Sequence, residues 1–135
     1  MKIPTIEFLN TVEKLYTVQY PVQFKSFCTE NKKRKVLFTN PVPPESHFIC
    51  DIDTLKSINT RIGKGEWGDY EQAIIGKTHP KDGNRLWGEI LPFFYDESCV
   101  FGFDYRKQSG DEVYVWSVHR IVHVYLSFST WLNNY

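Results

Sequence analysis

The chain has 135 residues, in which 16 Lys and Arg balance 16 Asp and Glu, and 41% of positions are hydrophobic and 16% aromatic. That length suits one domain spanning residues 1–135, and the apolar share excludes a disordered chain, which could not offset its ordering entropy. A net charge of zero excludes a nucleic-acid binder driven by bulk positive charge.

In chain order, Ile3, Ile6, Leu9, Val12, Leu15 and Tyr16 recur at helical spacing, which predicts a helix over 4–17 with Pro4 or Thr5 at its start. Pro21 opens a second helix whose apolar side is Val22, Phe24, Phe27 and Cys28. Lys32-Lys33-Arg34-Lys35 would lie at that helix's end, where cations complement the backbone dipole. Val36-Leu37-Phe38 reads as a short strand, and Asn40-Pro41-Val42-Pro43-Pro44 as irregular chain. Residues 52–62 read as a helix capped by Asp51 or Asp53, with Ile52, Leu55, Ile58 and Ile62 as its buried stripe. From Gly63 to Gly88 the pattern loosens into a glycine-rich loop interrupted by a strand near Gln72–Ile75. Leu91–Tyr95, Cys99–Tyr105, Val113–Trp116 and Ile121–Tyr125 form an antiparallel meander, separated by turn residues such as Asp96-Glu97-Ser98 and Gln108-Ser109-Gly110-Asp111. Ser127 caps a final helix presenting Phe128, Trp131 and Leu132. Helices, then sheet, then helix implies an α+β domain: an antiparallel sheet of four to six strands with helices mainly on one face. Phe93, Phe101, Phe103, Trp116, Phe128 and Trp131 are its expected core.

No apolar run approaches the ~20 residues of a membrane span, and Met1–Thr5 offers no signal-peptide core. Cys28, Cys50 and Cys99 are odd in number and widely spaced, which suits a reducing cytoplasm. His119 and His123 are too far apart on a strand to chelate one ion, so no metal site is expected. Cys99 opens a buried strand and reads as an inert thiol. Gly63-Lys64-Gly65-Glu66-Trp67-Gly68 lacks the ending of a phosphate loop. A hydrolase using a carboxylate, or Cys99 with His119 or His123, would require those groups within hydrogen-bond reach.

The charges have an arrangement. Residues 1–50 carry a net of +3, and residues 89–112 a net of −4 from Glu89, Asp96, Glu97, Asp104, Asp111 and Glu112 against Arg106 and Lys107. If the turns of the meander gather these acids, they form a patch able to select a basic partner.

Ile90-Leu91-Pro92-Phe93-Phe94-Tyr95-Asp96, Val100-Phe101-Gly102-Phe103-Asp104, Val113-Tyr114-Val115-Trp116 and Ser127-Phe128-Ser129-Thr130-Trp131-Leu132 together resemble the SUKH superfamily. That superfamily includes the fungal Smi/Knr cell-wall regulators and many bacterial immunity proteins. The resemblance is carried by residues 88–135 and more weakly by 4–60, where Tyr20-Pro21 and Phe24 stand at matching places. It implies a cytoplasmic, non-catalytic immunity protein that needs no cofactor. Such a protein occludes a cognate toxin domain, often a nuclease with a basic cleft. The zero net charge and the lack of a long apolar run leave no nucleic-acid or membrane partner expected. Asp96, Glu97, Asp104, Asp111 and Glu112 are then the expected toxin contacts, with Trp67 and Tyr70 of the long loop behind them, because interface hot spots favour Trp and Tyr. A regulatory scaffold like the fungal members is the alternative.

Overall fold

The structure, a computed structural model, describes residues 1–30, 45–63, 90–105, 110–117 and 120–135. The expected strand at Val36–Phe38, the basic run Lys32–Lys35 and nearly all of the expected loop with its strand at Gln72–Ile75 lie outside the described residues.

Two helices come first, α1 (Ile6–Tyr16) and α2 (Val22–Glu30). Thr5 is the α1 cap, its Oγ1 accepting the Phe8 N–H at 3.1 Å and so satisfying one of the donors that a helix start leaves free. The helix stops at Thr17, which takes the left-handed conformation (φ 56°, ψ 50°) and donates its N–H to the Glu13 carbonyl. The Pro21 carbonyl accepts from both Phe24 and Lys25 N–H at 3.1 Å, starting α2. Glu13 joins the two helices. Its Oε2 accepts the Tyr20 N–H at 2.8 Å, and its Oε1 meets Lys25 Nζ at 2.8 Å. Phe24 and Cys28 are buried as expected, but Val22 is 73% exposed. It stands in the first turn, on the side away from Phe24.

After β1 (His47–Phe48) comes α3 (Ile52–Gly63), capped by Asp51, whose Oδ1 accepts the Thr54 N–H at 2.7 Å and whose Oδ2 accepts the Thr54 hydroxyl at 2.9 Å. Leu55 and Ile58 are buried. The meander follows: β2 (Ile90–Tyr95), β3 (Cys99–Asp104), β4 (Val113–Ser117) and β5 (Arg120–Tyr125), closed by α4 (Phe128–Asn134). The five strands form one antiparallel sheet in chain order, β1-β2-β3-β4-β5. The fold is α+β, as the sequence implies.

A register shift between Pro92 and Phe94 decides what the core looks like. Strand residues normally alternate between faces, and a bulge breaks the alternation. Phe93 and Phe94 therefore both reach α4, and both ring centroids stand 5.0 Å from Trp131. Phe93 stacks on Phe103 at 4.3 Å. Phe24 enters the same cluster from α2, within 5.2–5.4 Å of Phe93, Phe103 and Phe128. All six expected core residues are buried. Ile90, Val100, Tyr114 and Trp116, which fall on the opposite face of the sheet by register, are buried too. Gly102 marks a close approach of the two strands: a Cβ there would collide with Ile90 Cγ2 and stand 2.9 Å from the Leu91 carbonyl oxygen.

Candidate functional site

The antiparallel path of the sheet separates the expected contact acids into two groups. Asp96 and Glu97 lie in the β2–β3 turn, at one end of the sheet. Asp104 ends β3, and Asp111 and Glu112 precede β4, at the other end. The six residues of β3 hold these ends about 17 Å apart. The acids therefore do not form the single patch that the sequence suggests.

Two of them also serve the fold. Asp96 Oδ1 accepts the Ser98 N–H at 2.8 Å and the Cys99 N–H at 2.7 Å, tightening the turn; aspartate is favoured there because its short carboxylate reaches backbone donors two and three residues on. Its Oδ2 accepts the Tyr135 hydroxyl at 2.7 Å, and that phenol oxygen lies 2.8 Å from Ser46 Oγ. With the phenol proton given to Asp96, Ser46 donates to Tyr135. Burial pushes the Tyr135 phenol well above its ordinary pKa, so the donor stays protonated. Asp111 Oδ2 accepts the Phe128 N–H at 3.2 Å, a second cap on α4 beside Ser127, whose Oγ accepts from Thr130 N–H at 3.0 Å. Asp104 is only 5% exposed, so it offers no contact to a protein approaching the surface. Glu97 is exposed and Glu112 half-buried. Trp67 and Tyr70, like Glu89, Arg106 and Lys107, lie outside the described residues.

The thiols are not activated. Burial pushes Cys28 up to about 12 and Cys50 up to about 11. Cys99 is raised by burial and by the nearby Asp96 carboxylate, against a lowering hydrogen bond with Ser117. A nucleophilic cysteine needs the opposite shift. His123 pairs with Val115 on β4 and stands two strands away from Cys99, about 10 Å in the hydrogen-bonding direction. That separation removes the Cys99–His123 pair as a catalytic couple; His119 lies outside the described residues. Among the described residues no group of three His, Cys, Asp or Glu side chains is placed to hold a metal ion, and no helix is long and apolar enough to cross a membrane.

A feature that sequence reading missed lies where α3 meets β2. Asp53, Thr54, Ser57, Ile58 and Tyr95 line an open cleft of about 370 Å³. Ile58 is buried, Tyr95 and Thr54 are half-buried, and Asp53 and Ser57 are exposed. Tyr95 is braced by His47, with ring centroids 5.6 Å apart. In the sequence Asp53 stands out only as a possible cap and Tyr95 only as a strand residue. No spacing rule joins positions 42 residues apart, and their meeting depends on how α3 is laid beside the sheet.

No family model matches the chain, and no curated protein and no solved structure is significantly similar to it.

Proposed function

We propose that this chain is a cytoplasmic immunity protein of SUKH type, which binds a cognate toxin domain and blocks it by occlusion without performing chemistry. The observation that carries the reading is the residue pattern of 88–135. Its leucine-proline-phenylalanine strand, its strand ending in Asp104, its strand carrying Trp116 near its end, and its serine-phenylalanine helix are the resemblance to that superfamily. The same residues build the β2–β3–β4 meander and the helix that closes it. Three free cysteines, buried or half-buried, support a reducing compartment.

The partner is a basic protein domain. The end of the sheet bearing Asp96 and Glu97 is the better contact surface, because Glu97 is exposed there whereas Asp104 at the far end is buried. The test is co-expression with the toxin domains encoded beside the gene. Neutralisation of one of them, with a stable complex on gel filtration, is the expected result. If every neighbouring toxin remains fully active and none binds the purified chain, the proposal fails. Glu97→Lys should weaken the complex more than Glu112→Lys; the reverse order would move the contact to the opposite end of the sheet.

A further inference from the structure

We infer that the cleft between α3 and β2 is a seat for an arginine side chain of a partner protein. The cleft's volume of about 370 Å³ lies at the small end of the range for side-chain and ligand pockets. Its lining defines the occupant. Among the described lining residues the one charged group is the Asp53 carboxylate, which is exposed and makes no hydrogen bond or ion pair with another described residue. The Thr54 and Ser57 hydroxyls add acceptor oxygens. Thr54 already gives its proton to Asp51, so toward a newcomer its oxygen is an acceptor. The Tyr95 ring supplies an aromatic wall held by His47, and Ile58 supplies an apolar surface for methylenes. A carboxylate, hydroxyl acceptors and an aromatic face together match a planar guanidinium, which forks onto carboxylates and stacks on rings. An ammonium lacks that planar fork, and an anion would meet Asp53 with Asp51 two residues before it.

Charge around the cleft favours the same occupant. Tyr95 runs directly into Asp96 and Glu97, and Glu97 is exposed, so a basic segment that seats an arginine in the cleft passes an acidic turn. The identification of the arginine's owner as a toxin rests on the proposed function. The cleft's preference for a guanidinium does not.

The test titrates the full-length, nitrogen-15-labelled chain with N-acetyl-arginine amide, with the lysine and glutamate analogues as comparisons. Expected are saturable shifts at the amides of Thr54, Ser57, Ile58 and Tyr95, strongest for arginine and absent for glutamate. Asp53→Asn and Tyr95→Leu should each weaken the arginine site at least about fivefold, corresponding to loss of about 1 kcal/mol. Asp53 is exposed, so its variant keeps the fold, and unchanged amide positions elsewhere verify this. Shifts that do not saturate, equal response to glutamate, or undiminished affinity in Asp53→Asn each overturn the inference. Co-expression separates the two proposals. Arginine binding without any toxin neutralised leaves the cleft standing and removes the immunity reading. Neutralisation that survives Asp53→Asn unchanged, with no arginine binding to the wild-type chain, does the opposite.

Discussion

Replacing Gly102 by alanine tests the packing of the sheet at its tightest point. In most strand positions this exchange stabilises a protein, because glycine loses about 0.5–1 kcal/mol more backbone entropy on folding. At Gly102 the new methyl would overlap Ile90 Cγ2 and approach the Leu91 carbonyl oxygen to 2.9 Å and its carbon to 3.2 Å. Ile90 can turn its side chain, but Ile90 is 1% exposed and its neighbours are close-packed. The Leu91 carbonyl is backbone in the β2–β3 ladder and moves only with the strand. Overpacking of this kind costs about 1–3 kcal/mol, which exceeds the entropy gain and leaves a net destabilisation of about 0.5–2 kcal/mol. For a domain of this size that is a fall in Tm of roughly 2–8 °C. Thermal unfolding followed by circular dichroism reads it directly. The double variant Ile90→Ala/Gly102→Ala assigns the cause. It should destabilise less than the two single variants added together, because the side-chain clash is gone, while the Leu91 contact keeps Gly102→Ala unfavourable in that background too. A Gly102→Ala protein that melts at or above the parent temperature would refute the close-approach argument.

Four further outcomes are expected. Glu13→Ala removes the Lys25 ion pair and leaves the N–H of Tyr20, a residue 4% exposed, without its acceptor; it should cost about 1–3 kcal/mol in denaturant midpoint analysis, whereas Lys25→Met should cost less. Thr17→Gly should stabilise by about 0.5–1 kcal/mol, since a β-branched residue pays to hold φ at 56° and glycine does not, with part of the gain lost to glycine's entropy; no gain in Tm would contradict it. The Asp51 carboxyl is held below its ordinary pKa by the Thr54 N–H and hydroxyl, so its stabilisation is complete above the usual carboxylate pKa of about 4 and is lost as pH falls through the lowered folded value. The stability gap between the parent and Asp51→Ala should therefore be about 1 kcal/mol near neutrality and shrink below pH 4; a gap independent of pH would speak against it. With Cys28 near 12 and Cys50 near 11, iodoacetamide at pH 8 should alkylate Cys50 on the order of 100-fold and Cys28 on the order of 1000-fold more slowly than free cysteine, and both at ordinary rates in denaturant; fast native labelling of Cys28 would be inconsistent with its burial.

The local elements were legible because each rests on short-range rules. Thr5, Asp51 and Ser127 cap helices for the reason their side chains suggest, and the aromatic runs from Leu91 to Trp116 form the strands that their alternation with turn residues implies. Two kinds of information were not local. The bulge at Pro92/Phe94 breaks the period-two pattern, and only the pairing with β3 reveals that adjacent phenylalanines share one face. β1 consists of His47 and Phe48, too short to show any period, and is recognisable only by its pairing with Tyr95 and Phe94. The candidate site was legible in composition but not in place. Six acids in residues 89–112 suggest a patch, yet a β-hairpin sends its turn and its ends in opposite directions. Charge alone makes Asp96 and Asp111 contact candidates, but each accepts from a backbone N–H of the fold. Asp53 and Tyr95 are joined solely by tertiary packing.

Phe24 has a consequence for how the molecule comes into being. Its ring touches Phe48 on β1, Phe93 on β2, Phe103 on β3 and Phe128 on α4. Those partners are separated from it by up to 104 residues, so the contacts that α2 needs are made late, and closing such loops costs entropy before any packing returns it. On a ribosome, the first two helices emerge with their apolar faces uncovered and wait for α4. The aromatic cluster is thus a timing device as well as a core. Assembly of the domain as one cooperative unit after most of it has been synthesised is the outcome expected from such contacts, with Leu9, Val12 and Phe24 the surface that a chaperone would shield until then.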